Sequence, residues 1–399
     1  MPSSHLRHPH PLPSIAHTKP PAANDDRHAM ALVCPDKFRG SATATQVSRR
    51  LADGLRSGGY TGDIMCMPVA DGGEGTIDCF VAAGFATAEA TVTGPLGAQV
   101  TARIATRDRI AVIESAQASG LDLVTATPDN ARRATSRGVG ELIKYALDLG
   151  FRDITVGVGG TASTDGGVGL LQALGAHFLD RTGHPIPGGG AGLLQLHHVD
   201  MTGLDARLPD ARITVATDVT NPLTGHDGAA RIFAPQKGAE NSDVTLLDAG
   251  IEHFARTMVP RVLTAAAERP GAGAGGGIGY ALIGACGATR VSGADAILDL
   301  LHLDEHMSRA HLVITGEGAL DESSLAGKAP TAVAHRAKSH GTTTVAVVGR
   351  CSLVEKDWRT AGFADVYELA ALAGSLEASM RRTSELLIEA GRSIALNHR

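Results

Sequence analysis

The chain contains no run of eighteen or more apolar residues, which excludes a hydrophobic helical membrane span. It has no basic excess either. A formal net charge of −6 leaves no positive stripe to neutralise a phosphate backbone, so nucleic acid is not an expected partner. The five cysteines (Cys34, Cys66, Cys79, Cys286 and Cys351) are odd in number, widely spaced and free of any C-x-x-C pair. They read as buried thiols in a reducing compartment, not as a disulfide framework or a zinc site. The first 29 residues are rich in Pro and His and lack the apolar core of a signal peptide. The expectation is a disordered tail on a cytoplasmic protein. The Walker pattern G-x-x-x-x-G-K-[ST] is also missing, because Gly327-Lys328 is followed by Ala329 and has no upstream glycine at the right spacing.

Aromatic residues are scarce at 3%, whereas glycine is abundant: 49 of 399 residues, about 12% against roughly 7% in an average protein. That balance favours tight turns and close backbone approach to a ligand. The 43% hydrophobic content is ordinary for a large globular core.

Along the chain, "MALVCPD" (30–36) reads as a buried strand. Val47, Leu51 and Leu55 follow at i, i+4, i+8, one face of a helix. "GDIMCMPVADGGEGTIDCFVAAG" (62–84) repeats the unit as strand, glycine-rich turn and helix. Near the other end, "AHLVITGEG", "GTTTVAVVGR" and "ADVYELA" are strands separated by helical stretches. Such alternation predicts a doubly wound parallel sheet with right-handed crossovers. Between about residues 85 and 290 the pattern changes to alternating strands and a further βα turn. The expected organisation is α/β: one domain from 30–84 and 291–399, interrupted by a second from 85–290. Ligands of doubly wound sheets bind beyond the carboxyl ends of the strands, so one cleft between the domains is expected.

The turn "ITVGVGGTASTDGGVGLLQALG" (154–175) tests that idea. Gly157, Gly159 and Ala162 fit the dinucleotide pattern G-x-G-x-x-A, and Asp180 stands where a ribose ligand would be sought. Ser163, Thr164 and Asp165, however, put hydroxyls and a carboxylate where a pyrophosphate should lie. A second match, Gly271, Gly273 and Gly276, has no preceding strand and leads straight into a helix. A dehydrogenase reading is therefore disfavoured.

What recurs is an acidic residue beside glycine at the end of an apolar strand: "PDKFRG", "VADGGEG", "GGTASTDGG", "ATDVTNPLTG" and "VITGEGALDESSLAGK". Any one of these is ordinary turn chemistry. Together they point to carboxylates gathered around Mg²⁺ and a small polar substrate, with Lys37, Arg39, Lys237 and Lys328 near the same turns. Phosphoryl transfer needs this inventory of metal, cations on the moving group and a carboxylate for the attacking hydroxyl. From the residues alone, the reading ends at an ATP-dependent or phosphate-handling enzyme. A non-catalytic protein binding a sugar acid or nucleotide in the same cleft stays open.

At these residues the chain resembles the bacterial type I glycerate kinases. The resemblance rests on "CPDKFRGSATATQVSRRLADGLR", "PVADGGEGTIDCF", "VTGPLGAQVTARI", "AVIESAQASGL", the segment around "TVGVGGTASTDGGVGLLQALGA", "VATDVTNPLTGHDGAARIFAPQKGA" and "GAGAGGGIGYAL". It runs from residue 30 to about 375. It departs at "DESSLAGK", where Ser323 and Ser324 replace the Gln and Thr of a D-x-Q-T-x-x-G-K pattern. The resemblance implies a flavodoxin-like domain interrupted by a second α/β domain. It also implies transfer from ATP, with Mg²⁺, to D-glycerate, giving 2-phospho-D-glycerate. Attack through the 3-hydroxyl, or on a related hydroxy acid, is the alternative within kinases, and a homodimer is an open option. The candidate catalytic residues are Asp71, Asp165 and Lys37. Ser41, Gly159, Gly160, Thr161, Ser163, Asn221, Lys237, Glu317, Asp321 and Lys328 are candidates for substrate and phosphate, and Glu74 and Asp218 for the metal.

Overall fold

The computed structural model describes residues 30–258 and 265–398. The tail expected over residues 1–29 lies outside the described residues. Apolar runs without alternation need cover on both faces, which suits a parallel sheet with helices on either side. "MALV" is such a run and forms β1 (Met30–Val33), buried throughout. It joins β2 (Asp63–Cys66) and three late strands to make a five-stranded sheet. Those strands are the eleventh to thirteenth in the chain: β11 (Ala310–Leu320), β12 (Thr343–Cys351) and β13 (Asp365–Glu368). All pairings are parallel and the order is β13-β12-β11-β1-β2. In order of appearance this is 2-1-3-4-5, the flavodoxin arrangement, with its switch point between β1 and β11.

The helix Ala44–Ser57 begins with a capping box between Thr43 and Gln46 and buries Val47, Leu51 and Leu55 against the sheet. It runs back to back with the helix Thr383–Asn397. A Cβ on Gly54 would stand 2.3 Å from the Ile388 carbonyl oxygen, so only glycine allows this approach.

The second sheet, of six strands, is ordered β10-β9-β6-β5-β4-β3. It comprises β3 (Ala86–Thr93), β4 (Gln99–Arg107), β5 (Ile110–Glu114), β6 (Asp153–Gly157), β9 (Arg212–Ala216) and β10 (Thr289–Val291). The run β5-β6-β9-β10 is parallel, with β3 and β4 added antiparallel. The remaining pair, β7 (His177–Leu179) and β8 (His198–Asp200), forms a separate ribbon. Asp180 follows β7 and accepts from Thr182 and His184 on this exposed turn. It is not at the end of a strand of the six-stranded sheet, so the dinucleotide pattern lacks its ribose partner.

The two sheets meet along the loop after β2. Gly72 has φ +89°, and a Cβ there would lie 2.8 Å from the Ala216 carbonyl oxygen. The Gly159 N–H donates to the Gly72 carbonyl at 3.2 Å. The loop from Asp71 is thus threaded against the carboxyl ends of β6 and β9. Below it, Phe80, Phe85, Ala105, Val112, Ile297 and Leu298 share one apolar cluster drawn from both sheets. Burial of this kind fixes how the carboxyl ends face each other.

Candidate active site

Between those carboxyl ends runs a groove of cavities that share lining residues. The largest, about 560 Å³, is lined by Asp36, Lys37, Asp71, Glu317, Asp321 and Lys328, among others. Lys37, Arg39 and Ser41 also border a second cavity of about 460 Å³, which reaches Glu74 and Glu114. Glu74 and Glu114 border a third, of about 240 Å³. The third shares Leu121 and Gly160 with a small cavity of about 130 Å³, lined by Gly159, Thr161, Lys237, Gly275 and Gly276.

The β1 side of the groove is crowded with carboxylates. The Asp36 Oδ1 accepts from the Lys37 N–H at 2.6 Å, and the Lys37 Nζ donates to the Glu74 carbonyl at 2.6 Å. Burial, aided by the charge of Asp71, pushes the Asp36 carboxyl up to about 7. Burial likewise raises Glu317 to about 7, opposed by Ser324 and by Lys328, whose Nζ is 3.9 Å from Oε2. Burial works against the charge of Lys37, but Asp36, Asp71, Glu74 and Glu114 outweigh it and raise its pKa. Asp71 accepts from the Gly73 N–H at 3.1 Å and faces the largest cavity. Asp36 and Glu114 were not among the sequence-based candidates. Each stands at or just beyond the end of a strand, Asp36 directly before Lys37, and that position was the available signal.

The β6 side is different. Lys237 is 4% exposed, and its Nζ donates to the Ser163 carbonyl at 2.5 Å. Burial lowers its pKa to about 7, with Asp165 the opposing charge. Gly275 and Gly276 both have positive φ, so the second glycine run joins the same cavity wall.

Asp165 is buried and engaged on both oxygens. Oδ2 accepts from the Ser136 N–H (2.8 Å), the Ser136 hydroxyl (2.9 Å), the Thr135 hydroxyl (3.3 Å) and the Gly169 N–H (3.2 Å). Oδ1 accepts from the Gly167 N–H at 3.0 Å. These donors lie at the starts of the helices Arg137–Asp148 and Val168–Ala173, which the carboxylate joins. Asp165, Ser163, Asn221 and Asp218 do not line these four cavities. The Asn221 amide donates to the Asp227 carbonyl, and the Ser163 hydroxyl is buried with no partner among the described residues. Asp218 Oδ1 accepts from the Ser292 hydroxyl and the Gly293 N–H, both at 2.8 Å. Its Oδ2 is buried and has no partner among the described residues.

The fold is that of an α/β protein with a candidate site in the groove between the carboxyl ends of a parallel sheet and of the parallel strands of a mixed one. Residues 31–398 match the model of the glycerate kinase family. A glycerate 2-kinase of Escherichia coli (strain K12) is 40% identical over 367 residues, covering 91% of this chain and 96% of that protein. A glycerate kinase of Bacillus subtilis (strain 168) is 38% identical with the same coverage. The crystal structure of a protein assigned as glycerate kinase 2 from Salmonella typhimurium LT2 superposes with a TM-score of 0.78 at 36% identity. That match covers 92% of this chain and 98% of the other. The chain belongs to the glycerate kinase family.

Proposed function

We propose that this enzyme transfers the γ-phosphoryl group of ATP to the 2-hydroxyl of D-glycerate, giving 2-phospho-D-glycerate and ADP. The observation that carries the reading is the pairing of a cavity-lining carboxylate, Asp71, with Lys37 at the junction of the two sheets. The name of the Escherichia coli relative supports the choice of hydroxyl.

In this reading, Asp71 takes the proton of the attacking hydroxyl, while Lys37 and Lys328 hold the phosphoryl oxygens as charge redistributes. Asp36, held near neutrality in its acidity, keeps a second proton beside Asp71 and limits repulsion between the two. Lys237, Gly159, Gly160 and Thr161 form the opposite wall, where an anionic group of the acid substrate meets N–H and ammonium donors. Asp165, with donors on both oxygens and no place in the lining of the groove, acts as a helix-joining cap.

Among the described residues, no three His, Cys, Asp or Glu side chains gather into a ready metal cage. Mg²⁺ commonly takes only one or two protein carboxylates, the rest being phosphate oxygens and water. Glu74, exposed and bordering two of the cavities, fits that hard-oxygen requirement, and the partnerless Oδ2 of Asp218, buried outside the cavities, would join it only once uncovered. The chemistry supplied by bound Mg²⁺ is neutralisation of charge on the phosphate oxygens. We further read residues 30–84 and 291–399 as one domain and 85–290 as the inserted one, working in the cytoplasm. No described helix is long and apolar enough to cross a membrane.

The test mixes the protein with D-glycerate, ATP and Mg²⁺, follows ADP release, and identifies the product by ³¹P and ¹H NMR. 2-Phosphoglycerate is expected. Formation of 3-phosphoglycerate would overturn the regiochemistry, and no glycerate-dependent ADP release would overturn the reading itself.

A further inference from the structure

The largest cavity has two chemically distinct halves. One carries the charged residues already described. The other is lined by Leu369, Leu376 and Met380, and the lining also includes Gly349 and Arg350. These side chains come from two short helices, Leu369–Ala373 and Leu376–Arg381, that follow β13. Leu376 and Met380 are four residues apart on one helical face and are 40% and 45% exposed. Neither belongs to the apolar clusters that build the sheets.

The opposite side of this slot is the loop after β1. A Cβ on Gly40 would lie 3.5 Å from the Met380 Cε, so the segment bearing Lys37, Arg39 and Ser41 runs alongside the methionine. The wall's hydroxyls are already used: Ser379 donates to the Leu376 carbonyl of its own helix at 2.7 Å, and Thr383, at the start of the next helix, to the Ser379 carbonyl at 2.8 Å. With those hydroxyls used, Leu376 and Met380 leave an apolar surface, and Arg350 is a further cation in the lining of the same cavity. An apolar slot opening onto two lysines matches a molecule with a flat, weakly polar ring at one end and several phosphates at the other.

Size points the same way. About 560 Å³ lies in the range filled by ligands of drug-like size and far exceeds a three-carbon acid, whereas the glycine-lined cavity is only about 130 Å³. We infer that the purine base of the nucleotide packs on the exposed faces of Leu376 and Met380, beside the loop after β1, its phosphates directed toward Lys328 and Lys37. The acid substrate then enters from the β6 side. This assignment rests on the kinase reading for its second half, but the base slot stands on the cavity alone.

The test is photolabelling of the full chain with 8-azido-ATP and Mg²⁺, followed by peptide mapping. Label that excess ATP suppresses is expected within residues 364–383. Label on residues 217–238, at the glycine-lined end, would overturn the assignment, as would an absence of ATP-suppressible label. The variants Leu376→Asp and Met380→Asp supply a second readout, with thermal melting as the check on folding, since both side chains are exposed. Each is expected to raise the KM for ATP at least tenfold and to leave the KM for D-glycerate within twofold. An unchanged KM for ATP in both variants would sink the proposal. Correct labelling without glycerate turnover would retire the kinase reading while keeping the base slot.

Discussion

Two lysines at opposite ends of one groove have opposite fates. Lys37 and Lys237 each hold a backbone carbonyl with Nζ, at 2.6 and 2.5 Å. Around Lys37 stand Asp36, Asp71, Glu74 and Glu114, which overcome its burial and favour the charged form. Lys237 is buried with Asp165 as its opposing charge, and that carboxylate is already shared among five donors. The β1 end therefore gathers carboxylates in excess of its lysine, and at the β6 end burial disfavours the charged form of a lysine whose one opposing charge is already engaged. Each end holds an electrostatic demand that a bound ligand can meet: cations or protons at the first, an anion at the second.

The largest effect that could break this comparison concerns the carboxylates. Asp71→Asn keeps an oxygen for the Gly73 N–H but removes the charge, so turnover should fall about 10²- to 10⁴-fold while the melting temperature, with repulsion from Asp36 relieved, is not lowered. Asp165→Asn should do the reverse. An amide nitrogen would face donors from Ser136, Gly167 or Gly169, so the protein should lose on the order of 2 kcal/mol in urea unfolding. Activity of the remaining folded molecules should be near normal. A stable Asp165→Asn protein with collapsed kcat would exchange the roles of the two residues.

That pair also shows how far a sequence carries. The five strands of the first sheet were legible because each is a short run rich in apolar residues, set off from the next by a helical stretch. Legible too was the glycine-rich turn after β6, as a place where backbone approaches something. The neighbour of Asp165 was not: Ser136 lies 29 residues earlier, and nothing local shows that its hydroxyl and N–H reach that carboxylate. Burial of Lys237 is equally invisible, since "APQKGA" reads as an exposed turn. Asp36 stands in the motif "PDKFRG", from which Lys37 is the residue the sequence puts forward, and its burial beside Asp71 shows only in the fold. Leu376 and Met380 look like ordinary helix positions until the loop after β1 is seen beside them. Local signals record chain direction and turn chemistry, whereas pairing across the two sheets is a tertiary fact.

A smaller effect sharpens the comparison at the β6 end. Lys237→Met should weaken binding of the anionic substrate about tenfold while sparing the KM for ATP, if the acid lies on that side. Its stability profile carries a sign. The folded pKa, about 7, is below the unfolded value of 10.5. Between these, the unfolded state binds the extra proton, so wild-type stability gains from this group as pH rises from 7 toward 10. Lys237→Met should lack that gain. Urea unfolding at pH 7, 8 and 9 measures it, and parallel profiles for the two proteins would mean that Lys237 stays charged in the folded state.

The smallest expected effect has the opposite slope and belongs to the β1 end. Asp36 has a folded pKa of about 7 against 3.8 in the unfolded chain. Between those values the folded state binds the extra proton, so this group's contribution to stability falls as pH rises from 4 to 7. Asp36→Asn should flatten that fall, and the gap between variant and wild type should widen toward neutral pH. Because the Lys37 N–H loses a carboxylate acceptor and its ammonium a neighbouring charge, part of the gain is offset, which keeps the change modest. A variant that loses stability uniformly from pH 4 to 7 would show instead that Asp36 is ionised throughout and that Lys37 alone balances it. The two ends would then differ in the number of their carboxylates but not in the protons they hold.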